Sequence, residues 1–242
     1  MKMLYTLLTA CFLTLPSFAQ NDLFDRAQSA YDDGRYGEAA SLYERMLSNG
    51  VDNAEVHYNL ANACFKNHEL PNAVLHYRRA AYDLPRDPDI AANLHFALNA
   101  AGAIEPTPSF IERSLSTLSK NEWIVLGTGS YALLTLLLLL LLFMKRQRRM
   151  LFRLIALPTL LLALAYFGWR HWHLLTIYPE WVVTQTEATT RFSPIEGSTA
   201  HFKLPHGALV RQSSMDSKGW VEVEYDGKQG WIKQEFIRRV SP

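Results

Sequence analysis

The N-terminal half contains two turn segments at corresponding positions, Gly34–Ala39 (GRYGEA) and, 34 residues later, His68–Ala73 (HELPNA). A sequence period of about 34 residues is typical of units that consist of a helix, a turn and a second helix. Further residue pairs match at the same offset: Tyr31 and Phe65, Tyr43 and Tyr77, Asn59 and Asn93, and Leu60 and Leu94. The repeat therefore predicts an all-α N-terminal domain of stacked helix pairs.

Small and large residues alternate within the repeat as stacked helices require. Ala39 and Ala73 occupy equivalent positions where two helices must approach, whereas Tyr43 and Tyr77 fill the space between helices. Pro71 is tolerated in the first turn of a helix, where its missing N–H would have no intrahelical partner. Within a domain spanning residues 20–102, we predict five helices at 21–33, 37–48, 54–66, 71–82 and 88–101.

The period and the two turn sequences resemble the tetratricopeptide repeat (TPR) family, whose helix pairs form a concave surface. Two and a half units are few, because about three are needed for a stable array. The array therefore needs a binding partner, or packing against the rest of the chain. In some members of the family, asparagines on the concave surface hold an extended peptide or its terminal carboxylate. The resemblance implies a partner-binding surface at Arg26, Asn59, Asn62 and Asn93; alternatively, the asparagines are solvated or stabilise the turns between helices.

The first 19 residues are typical of a secretory signal peptide. Lys2 precedes an apolar stretch, and small residues at Ser17 and Ala19 indicate a cleavage site before Gln20. Two alternatives stay open: an uncleaved anchor, and lipidation at Cys11. Cleavage would leave Cys64 as the single cysteine, without an internal disulfide, and its helical context predicts a small buried apolar residue.

Two apolar segments predict two membrane-spanning helices. Residues 123–144 contain no charge, and residues 154–172 form a second, shorter span. The loop between them, residues 145–153, carries five basic residues and no acidic one, which predicts a cytoplasmic location. An exported N-terminus is consistent with this orientation. We therefore predict a multi-pass protein of the bacterial inner membrane, with both outer domains in the periplasm. The alternative is a re-entrant or interfacial second helix, which would put the C-terminal domain in the cytoplasm.

Residues 103–122, between the repeats and the first span, are predicted to be a linker and a juxtamembrane helix. Phe110, Ile111, Leu115 and Leu118 follow a helical spacing, with Arg113 on another face. This pattern is typical of a helix that lies in the membrane interface.

The C-terminal residues 181–242 have the pattern of a small β domain. Short β-rich runs at 181–183, 188–191, 208–211, 220–225 and 231–232 are separated by turns, and Asp226-Gly227 is a hairpin signal. The tryptophan-containing runs around Trp220 and Trp231 resemble the bacterial SH3 family. The resemblance implies a small barrel that binds cell-wall peptides or proteins, with Trp220, Tyr225 and Trp231 as candidate binding residues.

Charge and motif content exclude several functional classes. The net charge of +1 combines an acidic repeat region, a basic loop and a nearly neutral C-terminal domain. The dense basic cluster lies between two apolar segments, so nucleic-acid binding is not indicated. We find no Gly-rich phosphate loop, no Cys/His metal-ligand spacing and no Gly-x-Ser-x-Gly elbow. The sequence therefore predicts a non-enzymatic protein without a cofactor, a metal site or catalytic residues.

The order of these segments resembles the BatE proteins of bacterial aerotolerance operons: an exported repeat domain, two spans around a basic loop, and a terminal SH3-like domain. The resemblance implies partner membrane proteins with von Willebrand A domains and a MoxR-type ATPase, together with a role in aerotolerance or envelope stress. It predicts a membrane-anchored scaffold for protein–protein interactions. The alternative is a cell-wall anchor that binds peptidoglycan through the SH3-like domain.

Overall fold

The computed structural model describes residues 22–214 and 217–240. The predicted signal peptide, with Cys11, lies outside the described residues. The repeat array consists of five helices whose ends agree with the predicted ones to within one residue: α1 (22–32), α2 (Tyr36–Ser48), α3 (Ala54–Lys66), α4 (Leu70–Asp83) and α5 (Pro88–Ala100).

The 34-residue period reappears as a repeated turn. Gly34, His68 and Gly102 all have positive φ angles, of 77°, 62° and 65°. After each of α1, α3 and α5, the backbone makes the same 6→1 hydrogen bond that ends a helix in a Schellman motif. The donor and acceptor pairs are Arg35 N and Ala30 O (2.8 Å), Glu69 N and Cys64 O (2.9 Å), and Ala103 N and Leu98 O (3.0 Å). Helix α5 therefore ends at the repeat position equivalent to the ends of α1 and α3.

Alanines form the contact layer of the array. Ala39, Ala61 and Ala73 are fully buried, and Tyr43 and Leu60 fill the spaces beside them. A larger side chain at any of these alanines would displace a neighbouring helix, because protein interiors are already close-packed. The alanine spacing seen in the sequence thus sets the distance between helices.

Two long apolar helices follow the array. The short helix α6 (Phe110–Leu115) leads into α7 (Lys120–Phe143), and a 3₁₀ turn (Lys145–Gln147) connects α7 to α8 (Arg148–Ile177). Both α7 and α8 are long and apolar enough to span a membrane, and only 11% and 17% of their most apolar windows are buried within the protein. Helix α8 is longer than the predicted 154–172 segment, so most of the predicted basic loop lies in its first turns.

The two long helices pack antiparallel through small residues. Gly168 lies directly against the ring of Trp123, and Gly127 lies beside Ala165. As the residue number rises along α7, the partner number falls along α8, which defines a helical hairpin.

The C-terminal segment is an antiparallel sheet of seven strands in the order β3-β2-β6-β5-β4-β1-β7. The strands are β1 (Glu180–Val183), β2 (Ala188–Arg191), β3 (Ala200–Leu204), β4 (Leu209–Gln212), β5 (Trp220–Tyr225), β6 (Lys228–Lys233) and β7 (Ile237–Arg239). The predicted Asp226-Gly227 hairpin joins β5 to β6, with both φ angles positive. The sheet is not closed, since β3 and β7 lie at its two edges, so the predicted SH3 barrel is not confirmed. We refer to residues 180–240 as the β domain.

The repeat array and the β domain share one hydrophobic core. Buried residues of α2–α5 and of β1–β7 belong to a single cluster. At the contact, the backbone at Gly207 approaches Ala101 and Pro71 of the array so closely that a Cβ atom there would lie 3.1 Å from the Ala101 methyl carbon. The sequence left open whether the short array is stabilised by a binding partner or by packing against the rest of the chain. The structure shows packing against the β domain.

Candidate interaction surface

Two of the predicted binding asparagines belong to a polar network between helices. The amide nitrogen of Asn93 on α5 donates to the hydroxyl of Tyr58 on α3, at 2.9 Å. The hydroxyl of Tyr77 on α4 donates to the amide oxygen of Asn62, at 2.6 Å. The two tyrosine rings meet edge to face, with centroids 6.0 Å apart. The network joins α3, α4 and α5, and the partner-binding role of Asn62 and Asn93 stays a prediction.

Asn59 and Arg26 are placed differently. Asn59 is half-buried on α3, and its side chain forms no hydrogen bond with any other described residue. Its amide therefore remains available to a ligand. Arg26 is exposed on α1 and lies 3.7 Å from Asp22, a surface ion pair that contributes little to stability. A ligand carboxylate would compete with Asp22 for this guanidinium.

Three aromatic side chains that were not predicted as binding residues lie on the same helices. Phe65 on α3 and Phe96 on α5 have ring centroids 5.4 Å apart, and Phe96 is largely exposed. Tyr31 on α1 lies at the repeat position equivalent to Phe65. The match of Tyr31 with Phe65 was a usable signal, whereas nothing in the repeat pattern marks Phe96.

The three aromatic residues predicted for the β domain do not form one groove. Trp220 and Trp231 lie on one face of the sheet, because Trp231 pairs with Glu222, two positions from Trp220 on β5. Tyr225 lies on the opposite face, where its hydroxyl accepts a hydrogen bond from the backbone N–H of Ile104 at 2.8 Å. Trp220 is buried beneath the ammonium of Lys233. Trp231 and Tyr225 are both partly exposed, but Tyr225 is hydrogen-bonded to Ile104 of the linker. Trp231 is therefore the more accessible candidate.

An ion pair with a buried carboxylate and a partly exposed guanidinium connects the repeat array to the β domain. Arg78 of α4 donates two hydrogen bonds to Glu180 of β1, at 2.6 and 2.9 Å, and the hydroxyl of Tyr82 donates a third at 2.9 Å. The carboxylate of Glu180 is 3% exposed. Burial alone would raise the pKa of Glu180, but the Arg78 guanidinium and the hydrogen bonds hold that pKa below its usual range. Glu180 is therefore ionised, and removing one partner would leave a buried charge.

Further arginines extend this contact to the other elements. Arg79 of α4 donates to the backbone oxygens of Arg239 and Val240, at 3.0 and 2.9 Å. Arg211 of β4 pairs with Glu112 of α6 at 2.8 Å, and Arg86 pairs with Glu122 at the start of α7. We call this set the junction. It holds the array, α6, the two long helices and the β domain in a fixed arrangement.

A buried histidine pair lies next to the junction. The Nδ1 atoms of His57 on α3 and His76 on α4 are 3.0 Å apart, and Nε2 of His57 lies 2.9 Å from Asp52. With His57 donating to Asp52 from Nε2, its Nδ1 accepts from His76. Burial lowers the pKa of His57 and lowers that of His76 to about 2. Both rings are therefore neutral near pH 7.

Two further features concern metal binding and thiol chemistry among the described residues. They include no group of three or more His, Cys, Asp or Glu side chains that could hold a metal ion. Cys64 is buried, as the sequence predicted, and burial raises the pKa of its thiol to about 12. A thiol in that state is a poor nucleophile.

Comparison with known proteins agrees with the repeat geometry. Residues 24–89 match the tetratricopeptide repeat family. This range covers α1–α4 and the start of α5, including the repeated turns at Gly34 and His68. Repeats of this family are non-enzymatic scaffolds for protein–protein interactions. A search of curated proteins finds no match to the chain.

Proposed function

We propose that this chain is a membrane-anchored, non-enzymatic scaffold that binds partner proteins on the outer side of the bacterial inner membrane. The observation that carries the proposal is a TPR array joined rigidly, through the junction, to two helices whose apolar surfaces are mostly uncovered. In water, such surfaces would strongly favour aggregation, whereas a bilayer covers them. The resemblance to the BatE proteins supports partners with von Willebrand A domains, a MoxR-type ATPase and a role in aerotolerance.

Within this scaffold, the binding surface is the side of α1, α3 and α5 that carries Arg26, Asn59, Asn62 and Asn93. Asn59 offers a free amide to a peptide backbone, and Phe65 and Phe96 offer apolar contact area on α3 and α5. Asn62 and Asn93 keep the helices at a fixed separation through their tyrosine partners. A surface that is ordered before binding loses little conformational entropy when a ligand arrives.

The direct test is crosslinked capture of partners from native membranes by the full chain. Asn59→Ala should weaken capture, because it removes a free ligand group without breaking an internal bond. Asn49→Ala, an exposed asparagine at the end of α2, is the matched control and should capture partners normally. Capture that survives Asn59→Ala but is lost with Trp231→Ala would place the site in the β domain. Capture that is unaffected by either substitution would contradict a binding site at Asn59 of the array and one at Trp231 of the β domain.

A second candidate is peptidoglycan binding through the β domain. A surface cleft of about 270 Å³ contains Trp220, Lys233, Phe236, Arg191 and Glu196, a mixture of rings and charges suited to a short polar peptide. Sedimentation with purified peptidoglycan tests this candidate. Binding that is lost with Lys233→Ala and retained with Asn59→Ala would favour the cell-wall anchor over the scaffold.

A further inference from the structure

Helix α6 has one side fixed to the protein and another side uncovered. Ser109 and Glu112 close its N-terminus as a capping box, and Glu112 also pairs with Arg211 of β4. Leu115 and, just after the helix, Leu118 pack against Trp123 and Trp172. These contacts fix how the helix is rotated about its own axis.

The uncovered side of α6 carries two large apolar side chains. Phe110 is 84% exposed and Ile111 is 69% exposed, and none of the described residues covers them. At about 100° per residue, Phe110 lies about 160° around the helix from Glu112, and Ile111 lies between Phe110 and Leu115. The four apolar residues that the sequence placed together are therefore divided: Leu115 and Leu118 pack internally, and Phe110 and Ile111 face outward.

Hydrogen bonds from two tryptophans determine where α6 lies along the axes of α7 and α8. The indole N–H of Trp123, near the start of α7, donates to the backbone oxygen of Leu115 at 2.9 Å. The indole N–H of Trp172, near the end of α8, donates to Leu118 at 3.1 Å. Tryptophans at the ends of membrane helices lie at the level of the lipid headgroups. If α7 and α8 span a bilayer, α6 lies at that level, beside its surface.

The unpaired charges near this surface are basic. Glu112 and Glu122 are already paired with Arg211 and Arg86. Arg113, Lys120 and Arg170 are exposed, and none of them forms an ion pair with another described residue. An apolar pair flanked by free cations matches the chemistry of a bilayer surface that contains anionic phospholipid.

We propose that α6 is a lipid-surface anchor: Phe110 and Ile111 insert among the acyl chains of the outer leaflet, and Arg113 and Lys120 bind anionic headgroups. Because α6 is tied to β4 through Glu112–Arg211, this insertion fixes the tilt of both outer domains relative to the membrane. The proposal rests on the membrane-anchored scaffold proposed above. It adds a third attachment to the two spans.

The test places an environment-sensitive nitrobenzoxadiazole dye at single cysteines of the full chain in phospholipid nanodiscs that contain spin-labelled quencher lipids. The variants are Ile111→Cys on α6, Leu138→Cys on the exposed side of α7 and Ser41→Cys on the exposed side of α2. Every variant also carries Cys11→Ser, native Cys64 is buried, and the protein without an added cysteine serves as the labelling blank. We expect shallow quenchers to reduce the fluorescence at position 111 and deep quenchers to reduce it at position 138. Position 41 should be quenched by neither.

The three positions separate the two proposals. No quenching at position 138 would contradict membrane insertion, and with it the proposed function. Quenching at 138 combined with a water-exposed dye at 111 would overturn the α6 anchor alone. A dye at 111 that is shielded in native membranes but not in pure-lipid nanodiscs would assign the surface to a protein partner and also overturn it.

The proposed binding of anionic headgroups by Arg113 and Lys120 is tested by comparing two lipid compositions. Quenching at position 111 should be stronger in nanodiscs with anionic lipid than in zwitterionic ones, and Arg113→Gln with Lys120→Gln should remove the difference. The matched control is Arg146→Gln with Arg149→Gln, at the far end of the long helices, which should leave the difference unchanged. Equal quenching in the two lipids would overturn the assignment of anionic headgroups.

Discussion

A Cβ atom at Gly168 would lie 2.1 Å from the Trp123 ring, a distance at which one helix must move. Gly168→Ala should therefore destabilise the α7–α8 hairpin by about 1–3 kcal/mol, the usual cost of overpacking. Gly129→Ala on α7 is the matched control, since nothing lies within 4 Å of its added methyl group. Thermal unfolding of the full chain in detergent, followed by near-ultraviolet circular dichroism, measures the difference. Equal midpoints for the two variants would show that the helices do not pack in this register.

Arg78 can be tested in the same way. Arg78→Met should cost about 3–5 kcal/mol, because it leaves the Glu180 carboxylate buried without its charge partner. Arg78→Met combined with Glu180→Met should recover much of that loss. Arg35→Met is the control, because Arg35 pairs with Asp33 and Glu38 at the surface, where ion pairs add little to stability. Thermal unfolding that is equally affected by Arg78→Met and Arg35→Met would contradict a buried junction.

At the scale of elements, the contact between α3 and α4 should make stability depend on pH. The folded state keeps His76 neutral, whereas an unfolded histidine has a pKa near 6.5 and gains a proton below it. Protonation therefore favours the unfolded chain: the stability contribution is complete above about pH 6.5 and is lost as the pH falls. One such group would cost about 2 kcal/mol at pH 5.

The measurement is the unfolding midpoint between pH 7.5 and pH 5 for the unsubstituted chain, His76→Gln and His95→Gln. His76→Gln should flatten the pH dependence, whatever its effect at neutral pH. His95, which is exposed and lies outside the buried pair, is the control. An unchanged slope in His76→Gln would rule out the buried pair as the titrating element.

The elements differ in how far the sequence predicted them. The five repeat helices were predictable, because burial on one side imposes a period and a turn that recurs every 34 residues. Strand β3 was not, since most of its side chains are exposed and it lacks the alternation that marks a half-buried strand. Strand β7 is only three residues long. Its contacts with β1, more than 50 residues away, leave no local trace in the sequence.

The candidate site was predictable only in part. Repeat position identified Asn59 and Asn93, but the hydrogen bond from Asn93 to Tyr58 depends on side-chain geometry that the spacing does not contain. Trp220 and Tyr225 lie on opposite faces because they are five positions apart on one strand. The face of Trp231 depends on the register between β5 and β6, which the sequence pattern left open. The Arg78–Glu180 pair joins residues 102 positions apart, so no pattern within either domain predicts it.

At the scale of the whole molecule, the junction restricts the possible topologies. Helix α4 precedes both long helices and β1 follows both, yet the two elements share buried contacts. If α7 and α8 cross a bilayer as an antiparallel hairpin, the array and the β domain lie on the same side. The turn at residues 145–147 then lies on the opposite side, where the basic residues predict the cytoplasm.

The most direct measurement is cysteine labelling of intact cells with a membrane-impermeant maleimide. The variants are Ser41→Cys in the array, Gln147→Cys in the turn and Lys228→Cys in the β domain, all at exposed positions. The account predicts that positions 41 and 228 are labelled in intact cells, and that position 147 is labelled only after permeabilisation. Labelling of positions 41 and 228 from opposite sides of the membrane would contradict it.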